Sequence, residues 1–312
     1  MKRLLASLAI VALLLSACSA GGENVRLATG GNTGTYYAYG TAMAKLLGEK
    51  TGVKFTVEST GASKANIQLI DGGDVQMAIV QNDVMAYAYE GTDLFAGEST
   101  KGFLSMAGLY TEVCQVVANP KSGITSIEDL RGKRVSVGDA GSGVEFNAVQ
   151  ILEAYGITFD DIQKQNLSFA ASADAIKNNQ IDAFFCTAGA PTTAITELAT
   201  TNEITVLEVD EAHAAQLQSM YPFYVRFPIP AGTYNGVADE KWTVAVMATL
   251  IVSDKLSEDT VYKLTKALFE NQSELLTAHA KAAELSAASA VQSITVPFHP
   301  GAEKYYKEVG VR

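Results

Sequence analysis

From Asn24 onward, short apolar runs of strand length alternate with longer stretches whose apolar residues recur every three or four positions. NVRLAT (24–29) reads as a strand and TYYAYGTAMAKLLGEKTG (35–52) as a helix. VKFTVEST (53–60) and VQMAIVQ (75–81) are strands, each followed by a helix, ASKANIQLIDGGD (62–74) after the Gly61 turn and NDVMAYAYEG (82–91). A long β run, LSMAGLYTEVCQVVANP (104–120), closes this first block. A second block begins at the turn TSIEDLRG (125–132). It holds the strand KRVSVGD (133–139), the helix VEFNAVQILEAYG (144–156), and strands at QNLSFA (165–170), IDAFFC (181–186) and ITVLEV (204–209). After the proline-rich YPFYVRFPIPAGTYNG (221–236), the strand WTVAVMATLIVS (242–253) and the helix SEDTVYKLTKALFENQSELL (257–276) return to the first kind of pattern. LLTAHAKAAELSAASAV (275–291) reads as an alanine-rich amphipathic helix. Such alternation predicts α/β lobes with parallel, helix-covered sheets. Two blocks and a return predict two lobes: 24–113, then 114–225, then 226–312 as the return crossing and the rest of the first lobe. Ligands of such sheets sit beyond the strand C-termini, here between the lobes.

The residues before Asn24 follow another grammar. Lys2 and Arg3 precede an apolar run over 4–15, too short for a comfortable membrane span and right for a secretory signal. Its end, LSAC, has the form of a bacterial lipobox. Residues 1–18 are therefore expected to be a signal peptide with Cys18 as the lipidated residue, and 19–23 a small-residue linker. An ordinary signal cleaved nearby is the plainer alternative. The expected product lies outside the cytoplasm, anchored to the bacterial cell membrane by lipid alone, in the periplasm or on the outer face. With 312 residues and a formal net charge of −11, the chain is long enough for two domains and repels nucleic acid and anionic lipid surfaces. The histidines His213, His279 and His299 show no ligand spacing with other metal-binding residue types, so neither a metal nor a cofactor is expected.

Candidate chemistry concentrates where strands run into helices. In ATGGNTGTYYAYG, Gly30, Gly31 and Gly34 allow close backbone approach, and Thr33 and Thr35 can cap the following helix. Its free N–H groups would face the cleft, an arrangement that attracts anions, with Tyr36 and Tyr37 as ring walls. A capped turn with core tyrosines is the bland alternative, and the spacing is not that of a dinucleotide fingerprint. The grammar recurs in STGASKAN with Thr60 and Ser63, in VQND with Gln81, in GDAGSGVE with Ser142 between Gly141 and Gly143, and in CTAGAPT around Ala188. Gly-, Ser- and Thr-rich turns split between two lobes predict a cleft of neutral donors.

These segments, with DLRGKRVSVGDAGSGVE, IPAGTYNG and HPGAEKYYKEVGV, resemble in order and spacing the TAXI family, the extracytoplasmic solute receptors of one branch of the TRAP transporters. The resemblance implies a type II periplasmic-binding-protein fold: two αβ lobes joined by two crossing strands around a ligand cleft. It implies a fused TRAP permease as membrane partner, driven by an ion gradient. The implied ligand is a small carboxylate or amino acid: glutamate, glutamine or 2-oxoglutarate. Carried over as cleft lining are Thr33, Gly34, Tyr36, Tyr37, Thr60, Ser63, Gln81, Gly141, Ser142, Gly143 and Ala188. A monomer is the form expected of such receptors. In the implied fold Cys114 and Cys186 fall on neighbouring strands near the cleft, where a disulfide can form in an oxidising compartment; two buried free thiols are the alternative.

Rival readings are weaker. Ser142 lies in A-G-S-G-V, which is not a nucleophile elbow, and no histidine sits in a glycine-rich turn, so no enzyme activity is expected. A type II receptor serving an ABC importer is the nearer alternative. Lys64, Arg226 and Glu145 can each be read as ligand contacts, but as a solvated lysine, a salt-bridged arginine and a first-turn dipole partner they need no ligand.

Overall fold

The computed structural model describes residues 24–312; the leader and Cys18 lie outside the described residues. The first block folds as β1 (Asn24–Ala28), α1 (Thr35–Thr51), β2 (Lys54–Glu58), α2 (Ser63–Asp71), β3 (Met77–Gln81) and α3 (Asn82–Glu90). These three strands pair in parallel in the order β2-β1-β3. β3 is buried at every position, as a central strand covered on both faces must be, and its MAIVQ is accordingly apolar almost throughout. The sixteen-residue β4 (Phe103–Ala118) then carries the chain out of the first lobe.

The second lobe holds β5 (Arg134–Ser136), α4 (Gly143–Ala154), β6 (Gln163–Gln165), α5 (Phe169–Lys177), β7 (Ala183–Ala188), α6 (Thr193–Thr201), β8 (Thr205–Leu207), α7 (Glu211–Met220) and β9 (Val225–Ile229). The chain returns along β10 (Lys241–Ser253) and ends on the first lobe with α8 (Glu258–Glu270), α9 (Gln272–Ala278), α10 (Ala287–Ala290) and α11 (Pro300–Glu308). One sheet, ordered β2-β1-β3-β10-β4-β7-β5-β6, runs through both lobes, with β8 beside β4 and β9 beside β10. The antiparallel pair β4 and β10 forms its middle. β10 meets β3 with residues 248–252 and β9 with residues 241–245, so each crossing strand belongs to one lobe at one end and to the other lobe at the other.

Burial follows the two faces of each half-sheet. Leu27, Met43, Leu47, Ile79, Leu250 and Leu264 pack on one face of the first lobe, and Ile67, Ile70, Val80 and Met85 on the other. In the second lobe Val135, Ile151, Leu152 and Leu217 oppose Val117, Phe184, Ile195 and Leu198 across the sheet. At roughly 25 cal/mol per Å² these side chains are the main force holding each lobe together.

Three expectations change. Ile229, Tyr234 and Val237 pack in the second lobe, so the return crossing is β10 rather than the segment from 226. The stretch 165–170 does not continue as a strand, because Ser168 accepts from the Ala171 N–H at 3.3 Å and caps a helix beginning at Phe169. The alanine-rich tail is not one helix either. His279 is extended and its Nδ1 accepts from the Lys281 N–H at 3.2 Å, while Ser286 opens a separate turn through Ser289. Local side-chain caps here outweigh the helix propensity of alanine.

Candidate ligand-binding cleft

The turns that follow β1, β2, β5 and β6 converge with the C-terminal residues of β3 and β7 and the midpoint of β4 on one cavity of about 40 Å³ between the lobes. That room suits a few waters at most. The lobes stand close because they bond directly. Thr35 Oγ1 donates to the Gly189 carbonyl at 3.3 Å, Gln81 Nε2 to Asn147 Oδ1 at 2.9 Å, and Asn147 Nδ2 to Asp83 Oδ2 at 3.0 Å. Gly143 meets the first lobe closely: a Cβ placed there would stand 1.8 Å from Gln81 Oε1, so any larger residue would require the Gln81 amide to move while the lobes meet as they do.

Of the residues expected in the cleft, Gly34, Tyr36, Ser63 and Gln81 line the cavity from the first lobe, and Ser142, Gly143 and Ala188 from the second. Ser142 caps α4 by accepting from the Glu145 N–H at 3.3 Å. The threonines do not cap α1: its N-cap is Gly34, with no side-chain acceptor, and α2 likewise has Ala62 as its N-cap and no side-chain acceptor. Uncapped first-turn N–H groups are available to an anion.

Thr33, Tyr37, Thr60 and Gly141 fall outside the lining. The Thr60 hydroxyl donates to the Thr29 carbonyl at 2.9 Å and so fastens its own loop. Thr33 faces a separate depression with Asp174, Lys177 and Glu197. Tyr37 follows the buried Tyr36 and lies one helical step further round, half-buried. Gly141 adopts φ +74° and gives its N–H to Glu145 Oε2 at 2.7 Å. Glu145, which also accepts from Lys164 at 2.7 Å, thus steadies the loop from behind. Arg226 stacks on Trp242 at 4.4 Å and pairs with Glu211 at 3.6 Å, away from the cavity. Lys64 lies over the Phe95 ring at 4.9 Å.

Cys114 and Cys186 are free and buried. Their strands are indeed neighbours, but Cys114 stands opposite Thr187 and Cys186 opposite Gln115. Directly opposed residues share a face and adjacent ones do not, so the two thiols point to opposite sides of the sheet. Burial raises both thiols far above the usual range.

Residues 27–310 match the NMT1-like family. The chain belongs to it. Solved structures agree on the architecture at low identity. The alkanesulfonate-binding protein SsuA of Xanthomonas axonopodis pv. citri, bound to MOPS, is 14% identical with a TM-score of 0.52 over 93% of this chain and 85% of its own. A binding protein component of an ABC phosphonate transporter from Pseudomonas aeruginosa is 15% identical, TM-score 0.52, over 84% and 79%. The substrate-binding protein of an amino acid ABC transporter is 14% identical, TM-score 0.51, over 83% and 98%. The fold is that of a type II periplasmic binding protein.

In this NMT1-like protein the cavity is also lined by Thr35, Asp139 and Thr187, which belong to the turns already described, and by Phe169 and Glu112, which lie outside them. Glu112 sits in mid-strand on β4, 1% exposed, and accepts from the Tyr36 hydroxyl at 2.7 Å. Burial pushes its carboxyl well above the ordinary range, and the Tyr36 bond opposes that. Asp139 is shifted upward by burial as well. The alternating pattern of β4 hints at a polar residue at 112, but its burial depends on the lobe that folds against it. The broken tail packs beside this region. Glu284 Oε2 accepts from the Thr111 N–H at 2.7 Å, and Lys281, paired with Glu284 at 2.7 Å, lies against Gly189. Among the described residues no three His, Cys, Asp or Glu side chains cluster to hold a metal, and no helix is long and apolar enough to cross a membrane.

Proposed function

We propose that the protein is an extracytoplasmic solute receptor that captures a small carboxylate-bearing solute between its lobes and hands it to a membrane permease without turnover. The observation that carries this reading is the cavity itself: strand C-termini of both lobes and the uncapped starts of α1 and α2 converge on it, and the lobes bond across it. Contacts to both lobes exist only when they are together, so a solute that bridges them stabilises the closed state. Family membership and the shared fold support the receptor class.

The TAXI-like motifs favour a TRAP permease, with the protein acting as a lipid-anchored monomer through Cys18. The ABC components among similar structures support the alternative of an ABC importer. Vesicles carrying receptor and permease distinguish the two, because TRAP uptake follows an imposed ion gradient and ABC uptake requires internal ATP. Binding itself is tested by calorimetry against small carboxylates, with Ser142→Ala and Ser63→Ala probing one lobe each. Loss of one hydrogen bond in a closed site costs roughly 1–3 kcal/mol, about 5- to 150-fold in affinity. Wild-type affinity weaker than millimolar for every member, or product formed on incubation, refutes the reading.

A further inference from the structure

The two crossing strands change lobes within a few residues of each other. On one edge β10 pairs with β9 over 241–245 and with β3 over 248–252, so Val246 and Met247 pair with neither. On its edge away from β10, β4 pairs with β7 only from Val113 onward; further back, at Ser105, that edge meets the tail, where the Ser105 N–H donates to the Pro297 carbonyl at 2.9 Å. Thr111 of β4 stands directly opposite Met247 of β10. In every second pair of an antiparallel ladder the two amides point away from each other, and here both leave the sheet for a side chain. The Met247 N–H donates to Asn82 Oδ1 at 3.0 Å, and the Thr111 N–H donates to Glu284 Oε2 at 2.7 Å. Motion of one lobe against the other must bend the chain at this level, where strand partners are exchanged.

The two amides are held differently. Asn82 is 1% exposed, and its Nδ2 donates to the Ser293 carbonyl at 3.3 Å, so Met247 is anchored from within the first lobe. Glu284 answers to the second lobe as well. Its Oε1 accepts from Lys281 Nζ at 2.7 Å, and the Lys281 stem crosses to Gly189 at the end of β7, where Cε lies 2.9 Å from the place a Cβ would take. One short turn of the tail therefore touches the bending point through Glu284 and the opposite lobe through Lys281. The residue next to Thr111 is Glu112, which lines the cavity.

We propose that Lys281 and Glu284 are positioning residues that couple the seam between the lobes to the bending point of β4. With the lobes together, Gly189 confines the Lys281 stem, Lys281 steadies Glu284, and Glu284 fixes the Thr111 amide beside the cavity-lining Glu112. When the lobes part, Lys281 regains its rotamer freedom, and its hold on Glu284 falls to that of an ordinary exposed pair. The Thr111 amide is then released just as the strand has to bend. This rests on the receptor reading, which takes the lobes to part and close, and adds how closure is felt at the hinge.

The test is residue-resolved amide exchange on the purified protein at constant pH without solute, read at Thr111 with Met247 as the internal reference. Lys281→Ala should speed exchange at Thr111 by roughly tenfold, the equivalent of about one hydrogen bond, and leave Met247 unchanged. Gly189→Ala, whose methyl would meet Lys281 and Thr35, should do the same from the other lobe. Adding Gly189→Ala to Lys281→Ala should change Thr111 no further, because the side chain that carries the effect is already gone. Thr111 exchange that ignores Lys281→Ala overturns the coupling, as does a Gly189→Ala effect that persists without Lys281. Equal acceleration at Thr111 and Met247 also overturns it, since that reports a general loosening of both strands. Solute takes no part in these measurements, so their failure leaves the receptor reading to stand or fall on its own calorimetry.

Discussion

Replacing Gly143 by alanine should pry the lobes apart without unfolding either. Gly143 is the first residue of α4 and its backbone is not in the left-handed region, so alanine is conformationally acceptable there and mildly favourable to the helix. The added methyl would nevertheless stand 1.8 Å from Gln81 Oε1 and 2.3 Å from Gln81 Cδ. Closure then requires the Gln81 amide to swing away, which breaks its 2.9 Å bond to the buried Asn147 and leaves that oxygen unpaired. The unpaired group costs about 1–3 kcal/mol and an off-rotamer side chain about 1 kcal/mol more. At the low end, about 2 kcal/mol, the closed state and the solute affinity fall by roughly 30-fold. Small-angle scattering at saturating solute should show a larger radius of gyration for Gly143→Ala than for wild type, and calorimetry should show the weaker affinity. The double variant Gly143→Ala with Gln81→Ala isolates the cause. Once the amide is gone the methyl has room, so the second change should add almost nothing to the loss from Gln81→Ala. Strictly additive losses, or a single variant that closes and binds like wild type, would refute the steric argument.

Other expectations can be checked separately. Burial raises the Asp83 carboxyl to about 7, so the folded protein prefers it protonated. Its contribution to stability is complete below the unfolded value near 4 and is lost as pH rises toward 7. Asp83→Asn should therefore flatten the fall in thermal midpoint across that window; equal slopes for both proteins would contradict the assignment. Thiol counting on denatured, unreduced protein should find Cys114 and Cys186 both reactive, and a missing pair would mean that the strand register is wrong. Wild-type protein should partition with membranes through Cys18, and Cys18→Ala should be released or remain unprocessed; an unmodified N-terminus downstream of Cys18 in wild type would end that proposal.

What the sequence makes legible is local. The turns before α1, α2 and α4 are visible because glycine, serine and threonine cluster within a few positions, and they place Gly34, Ser63, Ser142 and Gly143 around the cavity. Thr60 bears the same hydroxyl and misses the cavity, because a neighbouring carbonyl captures it first. Only coordinates decide which acceptor wins. Glu112 is hidden for the opposite reason: a glutamate in a strand reads as a solvent-facing position until a second lobe covers it. The cysteines mark a third limit. Neighbouring strands can be anticipated, but a one-residue offset in register decides whether two thiols meet or face away from each other, and nothing local fixes that offset. The broken tail belongs with Glu112, since its value lies in what it touches at Thr111 and Gly189.

The two crossing strands also bear on how the protein folds. The second lobe is one uninterrupted stretch of chain between the end of β4 and the start of β10, so all its contacts can form within a single segment. The first lobe is assembled from both ends of the described chain, with β3 and β10 in contact across more than half its length. Closing so long a loop before any contact rewards it is entropically unfavourable and slow. Once the second lobe has formed, it holds Ala245 of β10 beside Val113 of β4, and from there the β4–β10 pairing can run into the first lobe and bring its two ends into register. The order of events is then set by topology: the inserted lobe forms early and serves as the splint on which the outer lobe is joined. Mutations in the inserted lobe's strands should slow the appearance of the whole molecule, whereas those in α8 or α11 should chiefly hasten its unfolding.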